Sequence, residues 1–228
     1  MPRINCMIAL WVTLVMPVSA LGYDVQTEAI AKDSESDAGA ASAVERLRIF
    51  FSNTRWIYAD FQQSLVDSKG SKVQEASGTL VMQRPGKFRW SYLKPHRQLI
   101  IADGNEITIY DEDLQQATIK PMAGLIGSTP ASLLSGTQPL DANFDIEEAV
   151  PKAGLVWVEL TPKQKDSGFE RIRLGFNRSD LQAMEMEDSF GQTTYLRFTN
   201  MKHNIKPASG VFIFTPPVGT DVVREVGQ

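Results

Sequence analysis

The sequence predicts a mainly β protein built as one large antiparallel sheet or barrel, and two features of the chain predict it. From Arg55 onward, short runs rich in β-branched and aromatic residues alternate with turn signals such as that at 103–105. No helical stretch of about 10 to 15 residues separates successive runs, as a parallel sheet would require. The 43% hydrophobic content of the 228 residues is ordinary for a globular protein, and we expect one domain.

The first twenty residues predict a secretory signal peptide. Residues 8–18 form an apolar run too short to span a bilayer, and residues 18–20 suit cleavage. Cys6 stands before the apolar run rather than after it, so we expect no lipid anchor there. Residues 21–43 are rich in Ala, Ser, Asp and Glu, which predicts a flexible acidic leader. The domain itself is then expected over 44–228.

Residues 44–52 predict a short amphipathic helix, followed by strands. Leu47 and Phe50 lie at helical spacing among charged residues, and Ser42 stands where an N-cap is expected. The strands are expected at 56–66, 77–84, 88–92, 97–102, 106–111, 115–120, 143–149, 155–161, 169–176, 182–188, 192–199 and 211–214.

Residues 124–137 interrupt the strand pattern and predict a second short helix. Thr129 stands before a proline as an N-cap stands before a first-turn proline. Leu133 and Leu134 give the helix an apolar face, and Gly136 would end it. From the residues alone, a helix that plugs one end of a barrel is favoured over a movable lid.

No group of residues predicts catalysis or metal binding. His96 and His203 are isolated, the only cysteine lies in the predicted signal peptide, and neither a Gly-x-Ser-x-Gly motif nor a phosphate-binding glycine loop occurs. Acidic pairs such as Asp111 and Asp113 stand in polar turns, where carboxylates are usually solvated. A net charge of −4 without Lys/Arg blocks disfavours nucleic acid. We therefore expect a protein that is not an enzyme and uses no metal or cofactor.

Apolar residues alternate onto one face of several predicted strands. The set comprises Leu80, Met82, Phe88, Trp90, Tyr92, Ile107 and Ile109. A sheet curled round these positions would have an apolar concave wall. Alternation alone favours an ordinary packed core and does not distinguish it from a ligand cavity.

Several motifs, taken in their order along the chain, resemble those of the LolA family of outer-membrane lipoprotein carriers. They are Arg-Pro-Gly-Lys-Phe-Arg-Trp-Ser-Tyr at 84–92, Pro95, Asp-Gly at 103–104, the stretch 110–118, and Phe-Ile-Phe-Thr-Pro-Pro-Val-Gly at 212–219. The resemblance extends roughly over residues 44–222. The ordered combination is far more specific than any one of these motifs.

The resemblance implies an unclosed antiparallel β-barrel with a lid of short α-helices over a hydrophobic cavity, with about eleven or twelve strands. The seven alternating apolar residues would line that cavity. Arg84, the arginine of the Arg-Pro turn, would hydrogen-bond backbone carbonyls of the lid and hold the empty cavity shut. Leu133 and Leu134 would belong to the lid.

The resemblance also implies a function and partners. A periplasmic carrier of this kind binds the acyl chains of lipoproteins that an inner-membrane ABC transporter releases, and delivers them to an outer-membrane acceptor lipoprotein. We expect it to be a monomer. The alternative is a regulatory module that senses lipoproteins or lipids with the same barrel. The membrane-anchored acceptor itself would need a cysteine directly after the apolar signal core, where Leu21 and Gly22 stand.

Overall fold

The computed structural model describes residues 41–122, 129–136, 139–164, 168–178 and 180–225. The predicted signal peptide at 1–20, most of the predicted leader at 21–43 and parts of the predicted helical segment at 124–137 lie outside these residues. Across the described ranges, no helix combines the length and the apolar character needed to cross a membrane.

Three helices and twelve strands make up the described part of the chain. The helices are α1 (Ala43–Asn53), α2 (Pro130–Ser135) and α3 (Leu140–Asn143). The strands are β1 (Trp56–Val66), β2 (Lys72–Gln83), β3 (Lys87–Lys94), β4 (Gln98–Asp103), β5 (Glu106–Asp111), β6 (Gln116–Pro121), β7 (Phe144–Lys152), β8 (Leu155–Pro162), β9 (Phe169–Asn177), β10 (Asp180–Asp188), β11 (Thr193–His203) and β12 (Asp221–Arg224).

All twelve strands belong to one sheet, in the order β12-β6-β5-β4-β3-β2-β1-β11-β10-β9-β8-β7. Neighbouring strands pair antiparallel, except that β12 pairs parallel to β6. Within the described residues, β7 and β12 form the two edges of this order, so the sheet does not close on itself. The prediction of a mainly β, unclosed antiparallel fold is confirmed.

The two predicted helices form where the sequence places their caps. In α1 the Ser42 hydroxyl oxygen accepts a hydrogen bond from the backbone N–H of Glu45, at 3.2 Å. In α2 the Thr129 hydroxyl oxygen accepts from the N–H of Ser132, at 3.1 Å. Gly136 ends α2 with a φ of +51°, a left-handed conformation that glycine adopts without strain.

The predicted strand at 211–214 is wrong. These residues form turns, in which the N–H of Ile213 donates to the carbonyl of Gly210 at 2.9 Å, and the last strand is β12. Phe212 and Phe214 alternate as strand residues do, but the Phe214 ring packs on Tyr110, with ring centroids 5.2 Å apart. The alternation therefore reflects contact with the sheet rather than membership of it.

The helices cover one face of the sheet, which we call the inner face; the opposite one is the outer face. The Phe50 ring of α1 packs edge-on against Phe176 of β9, with centroids 5.7 Å apart. Leu133 and Leu134 of α2 are buried in the same apolar cluster as Leu47 of α1. The main core thus lies between the inner face and the helices.

Candidate functional site

Rows of apolar side chains cross the inner face from strand to strand. One row consists of Ala59, Leu80, Trp90, Ile100 and Ile109. The next row consists of Ile57, Met82, Phe88, Ala102 and Ile107. Because directly opposed residues of paired strands share a face, these rows form one apolar wall. All seven residues predicted to line a cavity lie on this wall, since Tyr92 follows Trp90 by two positions on β3.

Side chains already fill the space against this wall. Met82 and Phe88 have no exposed surface, and Trp90 is only 2% exposed. The Trp90 ring lies 4.4 Å from the Phe61 ring and 6.5 Å from the Phe198 ring, measured between centroids. A ligand could therefore reach the wall only if the covering helices or these rings move.

Arg84, in the turn between β2 and β3, connects both covering helices to the sheet. Its Nε donates to the carbonyl oxygen of Leu134 in α2, at 2.8 Å. Its Nη1 donates to the carbonyl oxygens of Phe50, Phe51 and Thr54 at the end of α1, at 3.1, 3.4 and 2.8 Å. The guanidinium carbon also lies 4.1 Å from the centroid of the Phe51 ring. One side chain thus holds α1 and α2 in place.

The electrostatics at Arg84 favour its contacts with the helix ends. The last carbonyls of a helix lack donors within the helix and carry its negative dipole end, so a cation is favoured there. Burial lowers the pKa of the Arg84 guanidinium to about 9, which leaves it protonated at neutral pH. Its charge therefore stabilises the observed position of both helices on the sheet.

The other end of α1 is held by contacts that the sequence did not predict. The Glu148 carboxylate of edge strand β7 accepts from the N–H of Val44, at 3.3 Å. The hydroxyl of Ser42 and this N–H lower the pKa of Glu148 by hydrogen bonding to its charged form. Arg46 Nη1 donates to the carbonyl of Arg178, at 2.6 Å. No local sequence signal points to this contact, because Glu148 and Val44 lie 104 residues apart in the chain.

At the end of the inner face away from Arg84, the wall becomes polar. The Tyr92 hydroxyl donates to Gln63 Oε1 at 3.0 Å, and burial raises the pKa of this hydroxyl. Beyond this pair lies a cavity of about 520 Å³, which we call the far vestibule. It is lined by Gln63, Gln74, Ala76, Tyr92, Lys94, Pro95, His96, Gln98, Asp111, Asp113 and Leu114.

The C-terminal segment lies on the outer face rather than at the predicted cavity. Phe214 covers Tyr110, and Arg89 Nη1 donates to the carbonyl of Val211 at 3.4 Å. A cavity of about 1010 Å³ lies between this segment and β3–β5, and Tyr92 is the one predicted cavity residue that contributes to it. The 212–219 motif therefore packs on the outer face of the sheet.

Comparisons with known proteins identify the family of this chain. A sequence profile described as "Outer membrane lipoprotein carrier protein LolA" matches residues 52–215. A protein of Dechloromonas aromatica named "Outer-membrane lipoprotein carrier protein" is 48% identical over 185 residues, which cover 81% of this chain and 89% of that protein. A protein of the same name from Methylobacillus flagellatus is 45% identical, with 81% of this chain and 90% of that protein covered.

A solved structure shares the fold at low sequence identity. It is described as an uncharacterized conserved protein from Thermus thermophilus, with a TM-score of 0.54 and 15% identity. The match covers 80% of this chain and 99% of that one. By its sequence matches over most of its length, the chain belongs to the outer-membrane lipoprotein carrier protein LolA family.

Proposed function

We propose that this protein is a periplasmic carrier that encloses the acyl chains of lipoproteins and delivers them to the outer membrane. Its relatives are named outer-membrane lipoprotein carrier proteins, which supports lipoproteins as the cargo and the outer membrane as the destination. Exposing acyl chains to water costs about 0.8 kcal/mol per CH₂, so passage through an aqueous compartment requires an apolar enclosure. The wall on the inner face offers one.

The observation that carries this proposal is the Arg84 latch above the buried wall. Acyl chains displace the covering helices when they enter, and this breaks the bonds from the guanidinium to the carbonyls of Leu134, Phe50 and Thr54. Breaking those bonds costs free energy, which lowers the net affinity for cargo. The closed state therefore helps to release the cargo, because a ligand shifts the equilibrium only by its difference in affinity for the two states.

The predicted site residues take three roles in this proposal. The seven wall residues, from Leu80 to Ile109, contact the acyl chains. Leu133 and Leu134 form the apolar underside of the lid, and both are nearly fully buried in the closed state. Arg84 is the latch between lid and wall.

The proposed route needs export and two partners. Residues 1–20 act as the signal peptide, residues 21–43 as a leader, and 44–228 as the carrier domain, which works as a monomer. An inner-membrane ABC transporter loads the carrier and an outer-membrane acceptor lipoprotein unloads it. The carrier itself performs no reaction. We do not favour the alternative of a sensing module, because the matched relatives are named carriers.

The test is to purify the protein from the periplasm and identify bound molecules by mass spectrometry. The carrier predicts acylated lipoproteins in the purified material. A preparation of the Phe88→Glu variant made in parallel serves as the control and should contain far less of them. Recovery of free phospholipid alone would contradict lipoproteins as the cargo and indicate phospholipid instead.

A further inference from the structure

The far vestibule borders the apolar wall at Tyr92. The Tyr92 ring packs edge-on against Phe61 at 5.3 Å and lies 6.4 Å from Trp90, between centroids. Its hydroxyl reaches Gln63 at the inner limit of the vestibule. Tyr92 therefore marks the boundary at which the apolar wall ends and a polar, open chamber begins.

Amide side chains from three strands face this chamber. Gln63, Gln74 and Gln98 come from β1, β2 and β4 and line the same cavity. Gln63 Oε1 accepts from Tyr92, whereas the amides of Gln74 and Gln98 have no hydrogen-bond partner among the described residues. Each amide both donates and accepts hydrogen bonds, which suits uncharged carbonyl groups and N–H groups of a ligand.

The charges around the chamber do not favour an ionic ligand. Two basic side chains, Lys94 and His96, and two acidic ones, Asp111 and Asp113, line the chamber, and His96 Nδ1 lies 3.2 Å from Asp113 Oδ2. A strongly anionic or cationic ligand would meet both signs of charge there. A neutral ligand rich in ester and amide carbonyls would not be repelled by either sign of charge.

We infer that the far vestibule binds the polar linkage of the cargo, meaning the ester and amide groups that join the acyl chains to the first residues of the polypeptide. The acyl chains then lie along the wall towards Arg84, and the polypeptide leaves the carrier at the end opposite the lid. This inference rests on the proposed carrier function and adds an orientation to it.

A photocrosslinking experiment tests the orientation. The full-length carrier receives p-benzoylphenylalanine either at His96, on the rim of the vestibule, or at Ser52, exposed on α1. Each version is loaded with a synthetic acylated lipopeptide whose polypeptide part carries a C-terminal affinity tag. We expect the tagged polypeptide to crosslink at position 96 and not at position 52.

The outcomes separate this inference from the function on which it rests. Crosslinking at position 52 alone, or equally at both positions, would overturn the orientation while leaving the carrier function intact. Failure of the wild-type carrier to bind the lipopeptide would contradict the carrier function, and the inference with it.

A binding experiment tests whether the glutamine amides of the vestibule contribute to lipopeptide binding. Gln98→Met and Gln74→Met keep the side-chain size but remove the amide, and each should weaken lipopeptide binding by about two- to tenfold, the usual effect of one hydrogen bond. Gln62→Met, on the outer face of β1, is the matched control and should change nothing. Binding of a free fatty alcohol, which has no ester or amide, should be unchanged in all three. Unchanged lipopeptide binding in both vestibule variants would contradict the inference.

Discussion

The two ends of the inner face differ in how they are closed. At the lid end, a guanidinium donates to carbonyls of two helices, and the wall beneath is almost completely buried. At the far end, one neutral hydrogen bond joins Tyr92 to Gln63, and the chamber beyond opens to solvent. The same alternating wall therefore ends under two helices bonded to Arg84 on one side and at a polar chamber on the other.

In the proposed mechanism, this difference makes the Arg84 end the one that regulates access. Hydrogen bonds to a charged group contribute about 1.5–3 kcal/mol each, whereas neutral ones contribute about 0.5–1.5 kcal/mol. Several bonds at Arg84 break together when the helices move, because they share one guanidinium. In the proposed mechanism, the Arg84 end therefore has the larger free-energy difference between the closed and open states, and loss of Arg84 should affect delivery more than loss of the Tyr92 hydroxyl.

The largest effect is expected for Phe88→Glu. Phe88 has no exposed surface, so an ionised carboxylate there loses its hydration without a partner. We expect the free energy of unfolding to fall by about 3 kcal/mol or more, and uptake of lipopeptide to be strongly reduced. Denaturant unfolding and a loading assay measure the two effects. The control is Phe190→Glu, at a side chain that is 80% exposed. Equal losses of stability and lipopeptide uptake in both variants would contradict the role of the wall in binding acyl chains.

Arg84→Leu should reduce stability less than Phe88→Glu does. Its specific effect should be on transfer of the cargo to the acceptor. The variant loses the bonds to both helices but also removes the cost of burying a guanidinium, so the free energy of unfolding should fall by about 1.5–3 kcal/mol in total. Loading should remain intact while delivery to the acceptor fails, because the closed state no longer competes with bound cargo. A transfer assay with purified acceptor measures this. The control is Arg48→Leu, at an exposed position of α1. Normal delivery by Arg84→Leu would contradict the proposed role of Arg84 as a latch.

The smallest effect is expected for Tyr92→Phe. It removes one neutral hydrogen bond to Gln63 and leaves the ring contacts with Phe61 and Trp90 in place. The free energy of unfolding should fall by about 1 kcal/mol, with loading and delivery close to wild type. Tyr195→Phe, partly exposed on β11, is the control. A delivery defect as large as that of Arg84→Leu would show that the far end is also a latch.

Features encoded by neighbouring residues could be predicted from the sequence. The wall was predictable because strand side chains alternate with a period of two, so Leu80 and Met82 share a face whatever the register. The caps Ser42 and Thr129 were predictable because each bonds to an N–H three residues further on.

Features that depend on packing between distant segments could not be predicted. Glu148 meets α1 only because the sheet brings its β7 edge to the helix N-terminus. The strand predicted at 211–214 is wrong because aromatic residues that pack on a sheet alternate as strand residues do. The Arg84 contacts were expected solely from the family resemblance, since a turn arginine by itself is more often solvated.

The most direct test of the account measures lid movement by pulsed electron paramagnetic resonance. Spin labels are attached to cysteines introduced at Arg48 on α1 and at Arg197 on β11, both at exposed positions, and the one natural cysteine lies at position 6. We expect the distance between the labels to lengthen when lipopeptide binds, and Arg84→Leu to show part of this lengthening without cargo. An unchanged distance in the fully loaded wild-type carrier would contradict the proposed lid movement.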